Sequence, residues 1–200
     1  NYLPQSLAMF ILEVQWWAYR SIWHLMFSGV FERHPDLRFV LTETGLEWVP
    51  PVLEQLDAFY HRMKTNTQCS EHIFGGPTVA NLSLTPSEYF ERQIWIGASF
   101  LSPAHCPLRE KVGVHKIMWG SDYPHVEGSH PWTREHLRLT FHDVPEAEVR
   151  SMLGQNAASV YGFDLDKLAA LAERVGPTPG EIAKPITASE VPIEAQKCPA

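Results

Sequence analysis

The chain has 200 residues and a mass of 22.8 kDa, and its 16 basic residues against 23 acidic ones give a net charge of −7. A hydrophobic share of 44% with 20% charged residues excludes a disordered chain, and no apolar run reaches the length of a membrane-spanning helix. The acidic balance argues against binding to nucleic acid. The three cysteines lie far apart, which is typical of a cytoplasmic protein rather than of a disulfide framework or a zinc ribbon.

Apolar and aromatic residues recur at near-helical spacing over residues 3–31 and predict a long helix. Because this helix is apolar on most of its sides, we expect it to be buried or to pack against a partner. Gly29 is expected to interrupt the helix. Pro35 is expected to end it, since proline disfavours helical backbone at the residue before it. A short run of strand-forming residues over 37–42 then predicts a buried strand.

The order of helix and strand recurs along the chain. Thr85, Pro86 and Glu88 form a helix-start signal with a capping box. The other predicted elements, in chain order, are a helix over 48–63, a loop over 66–84, a strand over 93–97, a helix over 102–111, a strand over 116–119, helices over 133–141, 145–153, 156–161 and 164–175, and an extended proline-rich tail over 176–200. Gly154 and Gly162 are expected to end the second and third of these C-terminal helices.

This alternation predicts an α/β fold with a parallel sheet. Three strands make an incomplete sheet, because a closed (β/α)8 barrel needs eight strands and typically about 250 residues. In parallel α/β proteins, functional residues gather at the carboxyl ends of the strands. Those ends lie at residues 42–45, 97–99 and 120–125, and two of them carry an acid, Glu43 and Asp122.

Spacing alone leaves two interpretations of each candidate residue open. Asp122 either ligates a metal or takes a proton at a strand tip, or it caps a turn. Glu43 either acts in chemistry or is a strand-end acid paired with an arginine or a helix N-terminus. His125, three residues after Asp122, either contacts substrate at the same edge or lies in an exposed loop. The chain contains no Walker loop, GxGxxG fingerprint or GxSxG elbow.

Three segments resemble one known family. Residues 118–128 (MWGSDYPHVEG) are similar to the last-strand signature of the amidohydrolase-related proteins, which include aminocarboxymuconate-semialdehyde decarboxylase. Residues 29–40 (GVFERHPDLRFV) resemble the passage before the sixth strand of that family, and residues 156–162 (NAASVYG) resemble its closing helix. The segments occur in the family's order, so the chain resembles the C-terminal part of a metal-dependent (β/α)8 TIM barrel, with strands six to eight.

The resemblance implies that Asp122 ligates a catalytic divalent metal ion, with zinc as the expected metal, and that Asp122 transfers a proton. It places Glu43 at the end of the sixth strand, where many relatives carry an acid/base histidine and some carry an acid. The family's other metal ligands, a His-x-His pair on the first strand and a histidine on the fifth, have no counterpart here. Strands one to five are therefore expected to precede Asn1.

The implied reaction is non-oxidative decarboxylation, or hydrolysis of a C–C or C–N bond, in a small carboxylated aromatic compound or ring-cleavage product. Asp122 and Glu43 would be catalytic, while His125 and Arg134 would meet the substrate carboxylate. A chain without the N-terminal ligands is expected to be inactive alone, because one ligand cannot hold zinc.

The alternative function is a non-catalytic half-barrel or an oligomerisation module. In the oligomerisation module the apolar first helix and the proline-rich tail bind a second chain, and a homo-oligomer is expected. In either case we expect a partial barrel domain over residues 1–175 and a tail over 176–200.

Overall fold

The computed structural model describes residues 4–99 and 101–192, and it has the predicted α/β architecture. The strands are β1 (Phe39–Thr42), β2 (Ile94–Ser99) and β3 (Ile117–Gly120). The α-helices are α1 (Pro4–Phe27), α2 (Val30–Arg33), α3 (Val49–Thr65), α4 (Ser70–Val79), α5 (Pro86–Gln93), α6 (Arg109–Val112), α7 (Thr133–Phe141), α8 (Glu146–Arg150), α9 (Asn156–Tyr161), α10 (Leu165–Val175) and α11 (Pro179–Ile182).

The three strands form one sheet in the order β1, β2, β3. β2 and β3 run parallel, with Ile96 opposite Ile117 and Ser99 opposite Gly120. The chain divides into two compact units, the first comprising residues 1–44 and 48–95 and the second comprising residues 45–47 and 96–200. The boundary expected near residue 175 stays a prediction. Among the described residues, no helix combines the length and the hydropathy needed to cross a bilayer.

The first unit packs α3 against α4 and α5, and the C-terminal end of α1 against α2. Gly29, in the left-handed conformation at φ 74°, separates α1 from α2, so the predicted break in the first helix is confirmed. Within the described chain only the C-terminal part of α1 is buried, at Ile22 and Met26. Leu7, Phe10 and other large apolar side chains of its N-terminal half are exposed. A partner for this exposed face stays a prediction.

The loop predicted over residues 66–84 is wrong at its centre, because α4 occupies Ser70–Val79. Pro77 lies inside this helix, and a proline preceded by two glycines is a strong loop signal in sequence. Packing against α3 outweighs that signal. Arg62 pairs with Glu71 at 3.1 Å, and the Nδ1 atom of His72 lies 2.6 Å from the carbonyl oxygen of Met63.

In the second unit, the connection after α7 differs from the prediction. Gly154 does not end a helix, because a π-helical turn over Ser151–Gln155 joins α8 to α9 without interruption. Gly162, at φ 75°, ends α9 as predicted. The helix predicted over 102–111 is a 3-10 turn over Cys106–Leu108 followed by α6.

The proline-rich tail is not extended throughout. α11 begins at Pro179, and a capping box between Thr178 and Glu181 caps its N-terminus. Both Ile182 and Val191 are buried. The prolines that suggest an extended chain also suit the first turn of a helix, where the missing N–H is not needed. Residues 193–200 of the predicted tail, and Leu3 of the predicted first helix, lie outside the described residues.

Glu32, in α2, accepts three hydrogen bonds, one from α5 and two from Ser83 in the segment before α5. Its carboxylate accepts from the backbone N–H of Ser83 at 3.2 Å, from the Ser83 hydroxyl at 2.9 Å and from the Tyr89 hydroxyl. The bond from Tyr89 is the main cause that lowers the pKa of Glu32, followed by the bonds from Ser83. Burial, together with the Glu32 carboxylate, raises the pKa of Tyr89 to about 12.

We expect the stabilisation from Glu32 to depend on pH. Because folding lowers its pKa, the contribution is present above the ordinary value of 4.5 and is lost as the pH falls through the lowered pKa. Glu32→Gln should therefore lower the urea midpoint at pH 7, and the difference from the unmodified chain should shrink below pH 4.5. Tyr89→Phe, which keeps the bonds from Ser83, should give an intermediate pH dependence. A difference that stays constant from pH 7 to pH 3 would contradict this assignment.

Candidate functional site

Two residues at the carboxyl ends of strands have left-handed backbone. Glu43 directly follows β1 and Asp122 lies two residues after β3, and both have φ 55°. Within residues 4–99 and 101–192, no other non-glycine residue has a positive φ. This conformation costs roughly 1–3 kcal/mol for a residue with a side chain and is concentrated at functional sites. Both acids therefore occupy a backbone conformation that is found at functional sites, and which of the two interpretations applies to each stays a prediction.

The loop after β3 folds back on itself through backbone hydrogen bonds. The N–H of His125 donates to the carbonyl of Asp122 at 2.8 Å, and the N–H of Ser129 donates to the carbonyl of Ser121 at 3.0 Å. Gly128 lies inside this loop, where a Cβ atom would come within 2.9 Å of the carbonyl oxygens of Ser121 and Asp122. Only glycine fits there without a shift of the loop, so Gly128 helps to set the direction of Asp122.

Three side chains of this loop form one cluster, which we call the strand-end cluster. The Nδ1 atom of His125 lies 2.8 Å from Oδ2 of Asp122 and 3.3 Å from Oε1 of Glu127. The Asp122 side chain is 12% exposed, whereas those of His125 and Glu127 are 59% and 43% exposed. Asp122 is thus the fixed inner member, and the other two face solvent.

The donor chemistry of the strand-end cluster suits a divalent cation. One donor atom from each of Asp122, His125 and Glu127 lies within 4.8 Å of the others. Two carboxylates and an imidazole are ligands that both zinc and manganese accept. Among the described residues, no other group of three such side chains lies close enough together to hold an ion. The sequence indicated Asp122 alone as a metal ligand, and in the structure two further potential donors lie beside it.

The sequence indicated two of these three residues, Asp122 as a metal ligand and His125 as a substrate contact. It indicated no role for Glu127, although Glu127 lies within residues 118–128, which resemble the last-strand signature of the family. The spacing Asp-x-x-His-x-Glu in a loop at a strand end was the available signal. Only the fold of the loop shows that residues three and five positions away turn back toward Asp122.

The segment that begins at Glu43 holds two buried polar atoms without a hydrogen-bond partner, the Thr44 Oγ1 and the Trp48 Nε1. Such groups are rare in folded proteins, and each one calls for an explanation. The Trp48 ring stacks on Tyr19 with ring centroids 4.9 Å apart. The left-handed backbone and both unpartnered groups therefore concentrate in one six-residue segment. Glu43 itself is exposed and belongs to the first unit, whereas the strand-end cluster belongs to the second.

Arg134 makes different contacts from those expected of a substrate-binding residue. Its guanidinium donates to Glu181 at 3.1 and 3.2 Å and to the carbonyl oxygen of Val175 at 3.2 Å. Among the described residues, its hydrogen bonds thus run to the end of α10 and to α11 and not to Asp122. A role in substrate binding stays a prediction. The structure shows a role in holding the C-terminal segment.

The sequence model of the amidohydrolase family Amidohydro_2 matches residues 18–163. This match covers well over half of the chain and includes β1, β2, β3 and the strand-end cluster. The chain therefore belongs to the amidohydrolase family, and the resemblance seen in the sequence is confirmed. A comparison with curated protein sequences gave no significant match.

Solved structures with a similar fold include two decarboxylases and a further amidohydrolase. The 5-carboxyvanillate decarboxylase LigW of Sphingomonas paucimobilis has 29% identity and a TM-score of 0.55, over 70% of this chain and 38% of that one. An amidohydrolase of Mycobacterium avium subsp. paratuberculosis K-10 has 27% identity and a TM-score of 0.52, over 72% and 33%.

The dihydroxybenzoic acid decarboxylase of Polaromonas sp. JS666, whose structure contains manganese and 2-nitroresorcinol, has a TM-score of 0.53 over 84% and 48%. Its identity is 18%, so it supports the fold alone. The chain therefore spans between a third and a half of the length of these three structures.

We expect the 200-residue chain to bind one divalent ion at the strand-end cluster. Isothermal titration with Zn²⁺ and with Mn²⁺ should show a single saturable site, and His125→Ala and Glu127→Gln should each weaken it at least about tenfold, because each removes a ligand. Glu173→Gln, an exposed change on α10, is the matched control and should leave the affinity unchanged. If both cluster variants bind as tightly as the unmodified chain, the cluster is not the site.

Gly128→Ala should disturb the same site through the backbone. A Cβ within 2.9 Å of two carbonyl oxygens forces the loop to move, which we expect to cost about 1–3 kcal/mol in the free energy of unfolding and to weaken metal binding. Gly180→Ala, where a Cβ meets nothing within 4 Å, is the control. Urea unfolding and metal titration of both variants test the assignment. Equal free energies of unfolding and equal metal affinities of the two variants would show that the close approach at Gly128 affects neither stability nor metal binding.

Proposed function

We propose that this chain is the C-terminal part of a metal-dependent decarboxylase of small carboxylated aromatic compounds. In this proposal β1, β2 and β3 correspond to strands six to eight of a (β/α)8 barrel. The observation that carries it is the strand-end cluster, in which Asp122 is held by His125 at 2.8 Å beside the end of β3. The similarity to 5-carboxyvanillate decarboxylase, at 29% identity over 70% of this chain, supports the choice of reaction.

In the loss of carbon dioxide from an aromatic acid, the C–C bond to the carboxylate breaks and leaves its electron pair on the ring carbon, which must take a proton. The protein therefore has to stabilise the developing negative charge and to supply the proton. A bound divalent ion would supply Lewis acidity that polarises a substrate oxygen. Asp122 would help to hold that ion and would carry the proton. Because His125 engages Oδ2 of Asp122, it also fixes the direction of the other carboxyl oxygen.

Glu43 would be the second acid/base or would orient the substrate. It follows β1, as Asp122 follows β3, and both have the same left-handed backbone. His125 would contact the substrate carboxylate from the exposed side of the cluster, in addition to holding Asp122. The hydrolysis of a C–C or C–N bond is the second reaction that these groups allow, since the same acid and base can activate water.

A non-catalytic half-barrel remains the second candidate for the 200 residues by themselves. This candidate is supported by the small share of each related structure that the chain covers, which is 38% of the 5-carboxyvanillate decarboxylase and 33% of the mycobacterial amidohydrolase. We therefore expect no turnover from the isolated chain, even where it binds a metal ion, and we place the activity in a protein that also carries the remaining strands of the barrel.

Asp122→Asn tests the proposal directly. In a protein that joins this chain to the remaining strands of the barrel, release of carbon dioxide from 5-carboxyvanillate or a dihydroxybenzoate should fall by on the order of 10²–10⁴-fold. The variant keeps the shape of the side chain and loses its charge and its proton. Asp166→Asn, in the first turn of α10, is the matched control and should retain full activity. Unchanged turnover in Asp122→Asn would exclude this role for Asp122.

A further inference from the structure

We propose that a cavity in the second unit binds a small neutral aromatic molecule. The cavity has a volume of about 530 Å³ and lies between α7, α8, the π-helical turn, α10 and α11; we call it the C-terminal cavity. None of its lining residues belongs to the strand-end cluster. The proposal does not depend on the proposed decarboxylation.

The size and lining of the C-terminal cavity suit a small organic molecule. Sites for such ligands span roughly 300–1,000 Å³ and combine an apolar wall with a few polar groups. The apolar wall here includes Trp119, Leu137, Val149, Leu153, Leu165 and Ile182. Thr133 and Gln155 add groups that can form a hydrogen bond with a hydroxyl or a carbonyl.

The charged residues at the cavity favour a neutral ligand. Glu146 and Arg150 are the charged residues that line it, and they pair with each other at 2.7 Å. Both side chains are more than half exposed, so this pair lies at the rim. A ligand with a full charge would lose its hydration against the apolar wall and would find the two charged lining residues already paired with each other, whereas a neutral ligand avoids this cost. Trp119 adds an indole surface, against which an aromatic ring packs edge to face or offset-stacked.

One wall of the C-terminal cavity is held by two arginines of α7. Arg134 donates to Glu181 and to the carbonyl oxygen of Val175, and Arg138 donates to the carbonyl oxygens of Lys184 and Pro185, both at 2.9 Å. These bonds tie the segment from the end of α10 through α11 to α7. Hydrogen bonds within the chain therefore hold this wall in place, and a preformed site spends less of its binding free energy on ordering.

The lining of the cavity also includes residues of the π-helical turn, a feature that occurs frequently at functional sites. Gly154 belongs to this turn and lines the cavity, and a Cβ atom there would meet nothing within 4 Å. The space in front of Gly154 is thus empty. A larger side chain at this position can extend into the space without a clash at its Cβ atom.

Gly154→Leu provides a sharp test, with Gly180→Leu as its matched control. Both glycines lie in helical segments, and a Cβ meets nothing within 4 Å at either, but only Gly154 lines the cavity. We expect the fluorine NMR signal of 4-fluorophenol to broaden saturably with the unmodified chain and with Gly180→Leu. With Gly154→Leu the affinity should fall at least about tenfold. Circular dichroism and the thermal midpoint of each variant establish that it is folded.

A second measurement uses the unmodified chain, so it holds even if Gly154→Leu fails to fold. Nuclear Overhauser effects should connect the ring protons of bound 4-fluorophenol to the indole of Trp119. 4-Fluorobenzoate, which is charged at neutral pH, should bind at least about tenfold more weakly. Non-saturable broadening, the absence of contacts to Trp119, equal binding of the benzoate, or equal binding by the two glycine variants would each overturn the proposal.

Discussion

The parallel pairing of β3 with β2 is the constraint on which the candidate site depends. It places Gly120, the last residue of β3, opposite Ser99, the last residue of β2, so that the chain leaves both strands at one edge. Asn156 reinforces the start of β3, since its side-chain amide donates to the carbonyl oxygens of Val114 and Ile117 at 2.8 and 2.7 Å. Both ends of the strand that carries Asp122 are therefore fixed.

The strand-end cluster follows from the local geometry beyond that edge. Left-handed backbone at Asp122 turns the chain sharply, and the close approach at Gly128 returns it toward the strand. All three potential metal donors come from six consecutive residues, so a small number of dihedral angles determines their distances. An arrangement of this kind can form before the remaining parts of a barrel are in place. It also brings three potential metal donors together in a chain that spans 38% of a related decarboxylase.

The C-terminal cavity has a different physical origin. Its walls come from helices that are far apart in sequence and are joined by Arg134, Arg138 and their backbone acceptors. Hydrogen bonds from a charged donor to several carbonyl oxygens are among the stronger ones in proteins. They explain why a proline-rich segment folds back onto α7. The same arginine that sequence analysis assigned to the substrate thus has a structural function in this chain.

The sequence by itself determined the elements whose signals are local and the family to which the chain belongs. The capping box at Thr85, the left-handed glycines at 29 and 162, and the strand ends carrying Glu43 and Asp122 are all properties of a few neighbouring residues. Tertiary structure decided the rest. Packing on α3 made a helix around Pro77, a π-helical turn carried the chain through Gly154, and long-range bonds drew Arg134 to Glu181. The position of Glu127 beside His125 also depended on the folded loop, because sequence spacing does not reveal how a loop returns on itself.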